Sequence, residues 1–276
     1  MISARIVADS VSMSGRRLTT FVLRYPRFIH AEFMTHRMLS RNAASSRAIP
    51  VNKFIKSVMT DPAMPVYWGA NKPGMQAGDE LVGWRLKAAK ALWVLSGLAM
   101  CGVAKMFEWI GLHKQIANRI LEPWFYIEVV CTGTEWGNLY NLRAHKDAQP
   151  EFRELANKMI EAQRASTPKH LDYGRWHMPF ITNEEVEKYG VEKCKNMSVA
   201  RCARVSYLNH DGSTPNPEKD LKLLEKLIEQ PHASPFEHQA TPMLDPNDKS
   251  GNFRGWHQYR KSINNENRPI FDLEAK

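Results

Sequence analysis

The chain has 276 residues, 43% of them hydrophobic and 24% charged, so it can bury a substantial core as one large domain or two small ones and reads as globular. Its 38 Lys+Arg against 29 Asp+Glu leave a formal charge of +9, which favours anionic partners without choosing among nucleic acid, nucleotides and polyanionic cofactors. Four scattered cysteines (Cys101, Cys131, Cys194, Cys202) with no Cys-x-x-Cys pair indicate neither a zinc knuckle nor a disulfide framework, and read as reduced packing residues.

The N-terminal MISARIVADS has no signal-peptide core, and the longest apolar run, residues 91–104 between Lys90 and Lys105, is short and Gly/Ser-interrupted. The expectation is a cytoplasmic chain with no membrane span. Residues 2–24 are β-rich, with Thr20, Val22 and Arg24 alternating against Phe21 and Leu23. Residues 26–50, PRFIHAEFMTHRMLSRNAASSRAIP, carry the densest chemistry. Phe28, Ile29, Phe33, Met34 and Met38 recur at roughly helical spacing behind Pro26, which predicts an amphipathic helix with Glu32, His36 and Arg37 near its end. A loop over 40–47 then offers hydroxyls, an amide and cations. Such donors suit a phosphate or a polar heterocycle, and suit equally a solvated, capped basic loop.

A short helix is expected over 51–59, followed by a Pro/Gly-rich loop over 61–80 whose Tyr67 and Trp68 clamp it to the body. Residues 80–118 read as one long helix, or two broken near Gly97 and Gly111. Leu86, Ala89, Trp93, Met100, Ala104, Phe107 and Ile110 make its apolar stripe, a scaffold or an oligomer interface. A strand over 124–132 precedes a helix over 136–165, whose Asn138 and Arg143 form a polar pair that reads as a binding edge or as capping. His170 and His177, in the loop over 167–180, have no third ligand in register, so no metal site is expected. The block SVARCARVSY over 198–207 and a polar turn through Pro217 lead to a helix over 218–229 with Leu221, Leu224, Leu227 and Ile228 inward. In HASPFEH, residues 232–238, the histidines lack the helical His-x-x-x-His spacing of a zinc site. The basic, aromatic tail over 251–269 suits a nucleotide, nucleic acid or a neighbouring subunit.

Four separated segments together resemble the flavin-dependent thymidylate synthases. Thr35-His36-Arg37 with Ser40, Asn42, Ser45 and Arg47 is similar to that family's Arg-His-Arg and its spaced Ser and Arg. Residues 119–123 look like its Arg-Ile-x-x-Pro segment. Asn138, Leu142, Arg143, Ala148, Gln149 and Glu151 look like its Asn-x-x-x-Leu-Arg-x-x-x-x-Ala-Gln-x-Glu segment, and residues 232–238 like its His-x-Thr-Pro-Phe-Glu-His. The likeness leaves 51–117 and the tail poorly matched. It also departs in order, since Ala203 to Ser206 and His232 to His238 precede the Arg-His-Arg helix in the family and follow it here. The chain therefore reads as a circularly permuted single domain over 1–276, with an insert around 51–117 and the family's N-terminal block moved to about 198–245. Thr35 stands where the family has an arginine, Glu32 at a glutamine-type position and Ala43 where an acidic residue is expected.

The resemblance implies an α+β fold, an antiparallel sheet flanked by long helices, in a homotetramer with shared active sites and no nucleic-acid partner. It implies reductive methylation of dUMP to dTMP, with methylenetetrahydrofolate supplying carbon and FAD, recharged by NADPH, supplying hydride. On that likeness Arg143 is catalytic, acting at the pyrimidine carbonyls. Glu32, Ser45, Ser46, Arg47 and Arg119 join it on the nucleotide, and His36, Arg37, Asn138, Leu142, His232, Ser234 and Glu237 hold FAD. Two rivals stand beside it. One is a pyrimidine nucleotide hydroxymethylase acting on dUMP or dCMP; the other is a basic nucleic-acid-binding module using Arg254, Trp256, Tyr259, Arg260 and Lys261.

Overall fold

A computed structural model describes residues 1–205, 216–229 and 232–263. The β-rich opening forms two ten-residue strands, β1 (Ser3–Ser12) and β2 (Arg17–Pro26), paired antiparallel across a turn at Gly15, whose φ of +80° suits a residue without Cβ. β4 (Tyr126–Gly133) pairs on the other side of β2, and β3 (Ser40–Ala43) lies at the edge. The short β5 (Lys169–Leu171) adds in parallel to β1, so the order is β3-β4-β2-β1-β5.

Strand alternation sorts the sheet into two chemically different faces. Phe21, Leu23, Tyr25, Ile127, Val129 and Cys131 pack against α6 (Pro150–Ala165) through Phe152, Leu155, Ala156 and Met159, and against Leu139 of α5 (Gly137–Arg143). On the opposite face Val22 and Val130 meet Phe180 and, at the end of α8 (Val191–Arg204), Cys202 and Val205, beside a row of buried hydroxyls and imidazoles. The fold is α+β, as expected, antiparallel except for β5. All four cysteines are buried and free.

Several expected elements change. The helix over 26–38 shrinks to a 3-10 turn, Arg27–Ile29, and α1 (His30–Phe33). Its stripe does not hold together: Ile29 and Phe33 are buried, whereas Phe28, Met34 and Met38 are exposed. The carbonyls that would continue it are engaged, Phe33 O and His36 O by the Arg41 guanidinium at 3.1 and 3.0 Å, and Glu32 O by the Thr35 hydroxyl at 2.7 Å. Half of the expected loop over 40–47 is β3, recruited by the open edge of β4. The helix over 136–165 divides into α5 and α6, with Pro150 in the first turn of the second.

By contrast α2 (Val51–Thr60) lies where expected, and α3 (Gly83–Trp109) runs unbroken through Gly97. That glycine lies against Trp124; a Cβ there would stand 3.0 Å from the indole. α3 ends before Gly111, at φ +81°, with the one-turn α4 (Lys114–Ala117) following. Val51, Phe54 and Val58 of α2 meet Cys101 and Ala104 of α3 in a second core with Leu121 and Trp124, while Ile110, expected on the stripe, is exposed. By length and composition α3 is long and apolar enough to cross a membrane, which the 91–104 run understates. In the 61–80 loop Trp68 meets Trp93 of α3 edge-on at 6.3 Å, the clamp to the body expected, whereas Tyr67 Oη donates to Gly78 O at 3.0 Å and so ties the loop to itself.

The pattern had not marked α7 (Asn183–Tyr189), which a Thr182/Glu185 capping box starts. α9 (Pro217–Glu229) matches its expected span; Leu224 is buried, but Ile228, expected inward, is exposed. Ser206, Tyr207 and most of the polar turn after them lie outside the described residues. Four short strands, β6 (Ala240–Pro242), β7 (Lys249–Ser250), β8 (Phe253–Arg254) and β9 (Trp256–Gln258), fold the C-terminal segment back onto the edge of the sheet.

Candidate functional site

α1 and the last turn of α5 bring Glu32, His36 and Arg143 together at one end of the sheet. Arg143 Nη1 is ion-paired with Glu32, and its Nε donates to His36 Nε2 at 2.9 Å. The guanidinium lies over the Phe152 ring, 4.7 Å from its centroid, and His36 meets the same ring edge-on at 5.7 Å. Burial first, then the Arg143 and Arg41 charges, lower the His36 pKa to about 4. His36 is therefore a neutral acceptor at pH 7 and orients Arg143 without repelling it.

A second group forms where β3 meets residues 232–238 and the C-terminal strands. Asn42 Nδ2 donates to Cys202 O at 2.7 Å, and its Oδ1 accepts from Ser234 Oγ at 3.2 Å. Ser40 Oγ donates to Asn252 Oδ1 at 3.0 Å, and Gln258 Nε2 reaches both Ser40 Oγ and Glu237 O at 3.1 Å. Through Gln258, Asn252 and Glu237 this group borders a cavity of about 330 Å³ lined also by Arg37, Leu39, Arg41, Gly251, Arg260 and Lys261. Glu237 is ion-paired with Arg260. Four cations around one carboxylate fit a phosphate or diphosphate. At Gly251, φ +61°, a Cβ would stand 2.5 Å from Gln258 Oε1, so the wall is built around a bare backbone.

The 3-10 turn Ser46–Ala48 carries a third group, centred on Glu122. This carboxylate accepts from Ser46 Oγ at 2.7 Å and Arg119 Nη1 at 2.9 Å, and Arg27 stands 3.8 Å away. Asn118 Nδ2 donates to Ser46 O and Ile49 O at 2.8 and 2.9 Å, fixing the turn's backbone.

Beneath these groups runs a buried polar chain. Ser10 Oγ bonds His177 Nδ1, His177 Nε2 bonds Thr20 Oγ1, Thr20 bonds Thr132, and Thr132 Oγ1 bonds His238 Nδ1, each at 2.8 Å. Burial lowers both histidines to a pKa of about 3, and for His238 the nearby His177 adds to it. The last residue of HASPFEH is thus a neutral peg that fastens the segment to β4, and its Nε2 is buried with no partner among the described residues.

The structure therefore assembles Glu32, His36 and Arg143; Arg37 with Glu237; Ser234 with Asn42; and Ser46 with Arg119 through Glu122. It does not join every expected residue to them. Among the described residues no side-chain hydrogen bond or ion pair links Ser45, Arg47, Asn138, Leu142 or His232 to the others, and all five are exposed. The Ser46 hydroxyl is buried and engaged by Glu122. Arg41, Glu122, Asn252 and Gln258 carry no site role in the sequence reading, and Arg260 and Lys261 carry one there only as part of the nucleic-acid-binding module. The basic tail hinted at the last two, but no spacing marks where a distant segment lands. That tail also bears on the nucleic-acid reading: Trp256 is fully buried, its Nε1 donating to Arg16 O, and Tyr259 packs on Trp176 and Phe236, so neither is a free platform for bases. Among the described residues no group of three or more His, Cys, Asp and Glu could hold a metal ion.

A family model described as thymidylate synthase complementing protein matches residues 17–169. Two solved structures of the UMP/dUMP methylase PolB from Streptomyces cacaoi are similar at 18% identity over 59% of this chain. The one bound with 5-Br UMP is covered over 88% of its chain with a TM-score of 0.48, and the one bound with 5-Br dUMP over 90% with 0.44. No curated protein matches.

Proposed function

Because this chain belongs to the thymidylate synthase complementing protein family, we propose that it methylates dUMP reductively to dTMP, with methylenetetrahydrofolate as carbon donor and FAD and NADPH as the reducing system. The observation that carries this reading is the meeting of Glu32 and His36 with Arg143, more than a hundred residues along the chain, in a geometry that leaves the cation fixed beside a neutral imidazole.

The donor set of the cationic cavity fits the diphosphate of a dinucleotide, and its volume suits that portion rather than the whole molecule. Arg37, Arg41, Arg260 and Lys261 would hold the diphosphate, with Asn138, Leu142, His36, His232, Ser234 and Glu237 around the rest. When bound, the flavin supplies the hydride that turns the transferred methylene into methyl. The chain's own work is to bind and polarise. Arg119 and Arg47 offer cations and Ser45 and Ser46 the turn that receive the nucleotide phosphate. Arg143, held by Glu32, stabilises negative charge developing on the pyrimidine carbonyls without reorganising. The same reading makes the enzyme a cytoplasmic homotetramer and its 198–245 block a permuted family segment; the Ser234–Asn42 and His238–Thr132 contacts support the latter by seating that block on β3 and β4.

The test is the absorbance spectrum of the purified protein, followed by incubation with dUMP and with dCMP and mass analysis of the products. A flavin spectrum with a methyl adduct on dUMP is expected. A hydroxymethyl product moves the assignment to the hydroxymethylase, and a colourless protein with no product from either nucleotide overturns both.

A further inference from the structure

α3 turns one face to the body and leaves the other bare. Trp93, Gly97, Cys101 and Ala104 meet α2 and Trp124. On the far side Leu92, Leu95, Ala99, Gly102, Met106 and Trp109 are all exposed, Leu92 at 66%, Leu95 at 59%, Met106 at 57% and Trp109 at 86%. Their spacing alternates three and four residues, the 3.5-residue period of a coiled-coil seam. The body-facing residues fall at other positions of that repeat, so core packing does not account for it. From 91 to 110 the only charged residues are Lys105 and Glu108, and these are ion-paired at 2.6 Å.

We propose that this seam is the contact with a second copy of the chain, the two α3 helices running antiparallel about a twofold axis near Ala99 and Gly102. That register sets Leu92 against the partner's Trp109, Leu95 against the partner's Met106, and Ala99 against the partner's Gly102. Small residues meet at the crossing and large ones on either side, the self-complementarity that a twofold contact requires. A parallel pair would bring Arg85, Lys87 and Lys90 of both copies together; the antiparallel pair sends them to opposite ends and opposes the helix dipoles. With large aromatics carrying roughly 150–250 Å² each, and Trp84, Leu98 and Ile110 extending the seam, the face exposes on the order of 900 Å². That matches the roughly 800 Å² each partner gives a stable interface and exceeds what monomers commonly leave bare. A lipid surface is the competing occupant, since the helix also has the composition of a membrane span.

Gly102 gives a clean probe, because a Cβ there meets nothing within 4 Å in the single chain. The experiment is light scattering coupled to size exclusion on the full chain, 31.7 kDa, with Gly102→Leu and Leu95→Glu/Met106→Glu variants checked by circular dichroism. An even multiple of the chain mass is expected for the parent. The double variant should show half that mass with unchanged helicity, and Gly102→Leu about a tenfold weaker association. Should the double variant not fold, Gly102→Leu decides alone. A parent at single-chain mass, the double variant at the parent's mass, a Gly102→Leu chain that dissociates on dilution no sooner than the parent, or flotation of single chains on phosphatidylcholine/phosphatidylglycerol vesicles would overturn the proposal. Flavin absorbance and the nucleotide assay read the proposed reaction separately; a parent at single-chain mass would remove the homotetramer from that reading and leave its chemistry standing.

Discussion

Arg143 and Arg119 each sit against a glutamate, and the two pairs are built the other way round. The Arg143 side chain is only 18% exposed, laid on Phe152 and held at two nitrogens by Glu32 and His36. The Arg119 side chain is 50% exposed, and its partner Glu122 is the inner member, shared with Ser46. A half-buried cation fixed from two sides costs little to reorganise when charge develops near it; an exposed one on a single tether can swing to capture an anion. The difference separates a group suited to the chemical step from one suited to binding.

The strongest way to break that contrast is Arg143→Ala, for which kcat should fall about 10²–10³-fold with the fold retained. Arg143→Lys should recover little, since an ammonium cannot hold the Glu32 and His36 contacts together; near-normal turnover in either variant removes Arg143 from the chemistry. Acid should act next. His36, His177 and His238 have folded-state pKa values of about 4, 3 and 3, below the ordinary 6.5, so the unfolded chain takes up protons first as pH falls. Stability should be level above about pH 6.5 and drop between there and pH 4, followed by thermal melts across that range; a level Tm down to pH 4 would show that these imidazoles are not neutral and buried.

His238→Ala, which removes the peg from the 232–238 segment, should lower the unfolding free energy by about 1–3 kcal/mol, measured by denaturant titration, with a weaker flavin spectrum because the segment carries Ser234 and Glu237. The smallest effect belongs to the outer pair. Arg119→Ala should raise the KM for dUMP about tenfold and leave kcat nearly intact. A loss in kcat equal to that of Arg143→Ala would erase the distinction between the two arginines.

The sequence by itself determined the elements whose cause is local and periodic. The alternation of β2, the span of α2, the inward Leu224 of α9 and the body stripe of α3 short of Ile110 are each read within one element. It also marked Glu32, His36, Arg143 and Glu237 as candidates, because they stand in separated motifs of recognisable spacing. Only the tertiary structure decided how those motifs are used. The shortening of the helix after Pro26 depends on Arg41 engaging the Phe33 and His36 carbonyls, and β3 exists because β4 offers an open edge. The unbroken course of α3 goes with Gly97 packed against Trp124, which joins a different part of the chain. The cationic cavity and the Ser10–His177–Thr20–Thr132–His238 chain join residues up to more than two hundred positions apart. Their hydrogen bonds form only once the sheet and its flanking segments have packed, so no local pattern records them.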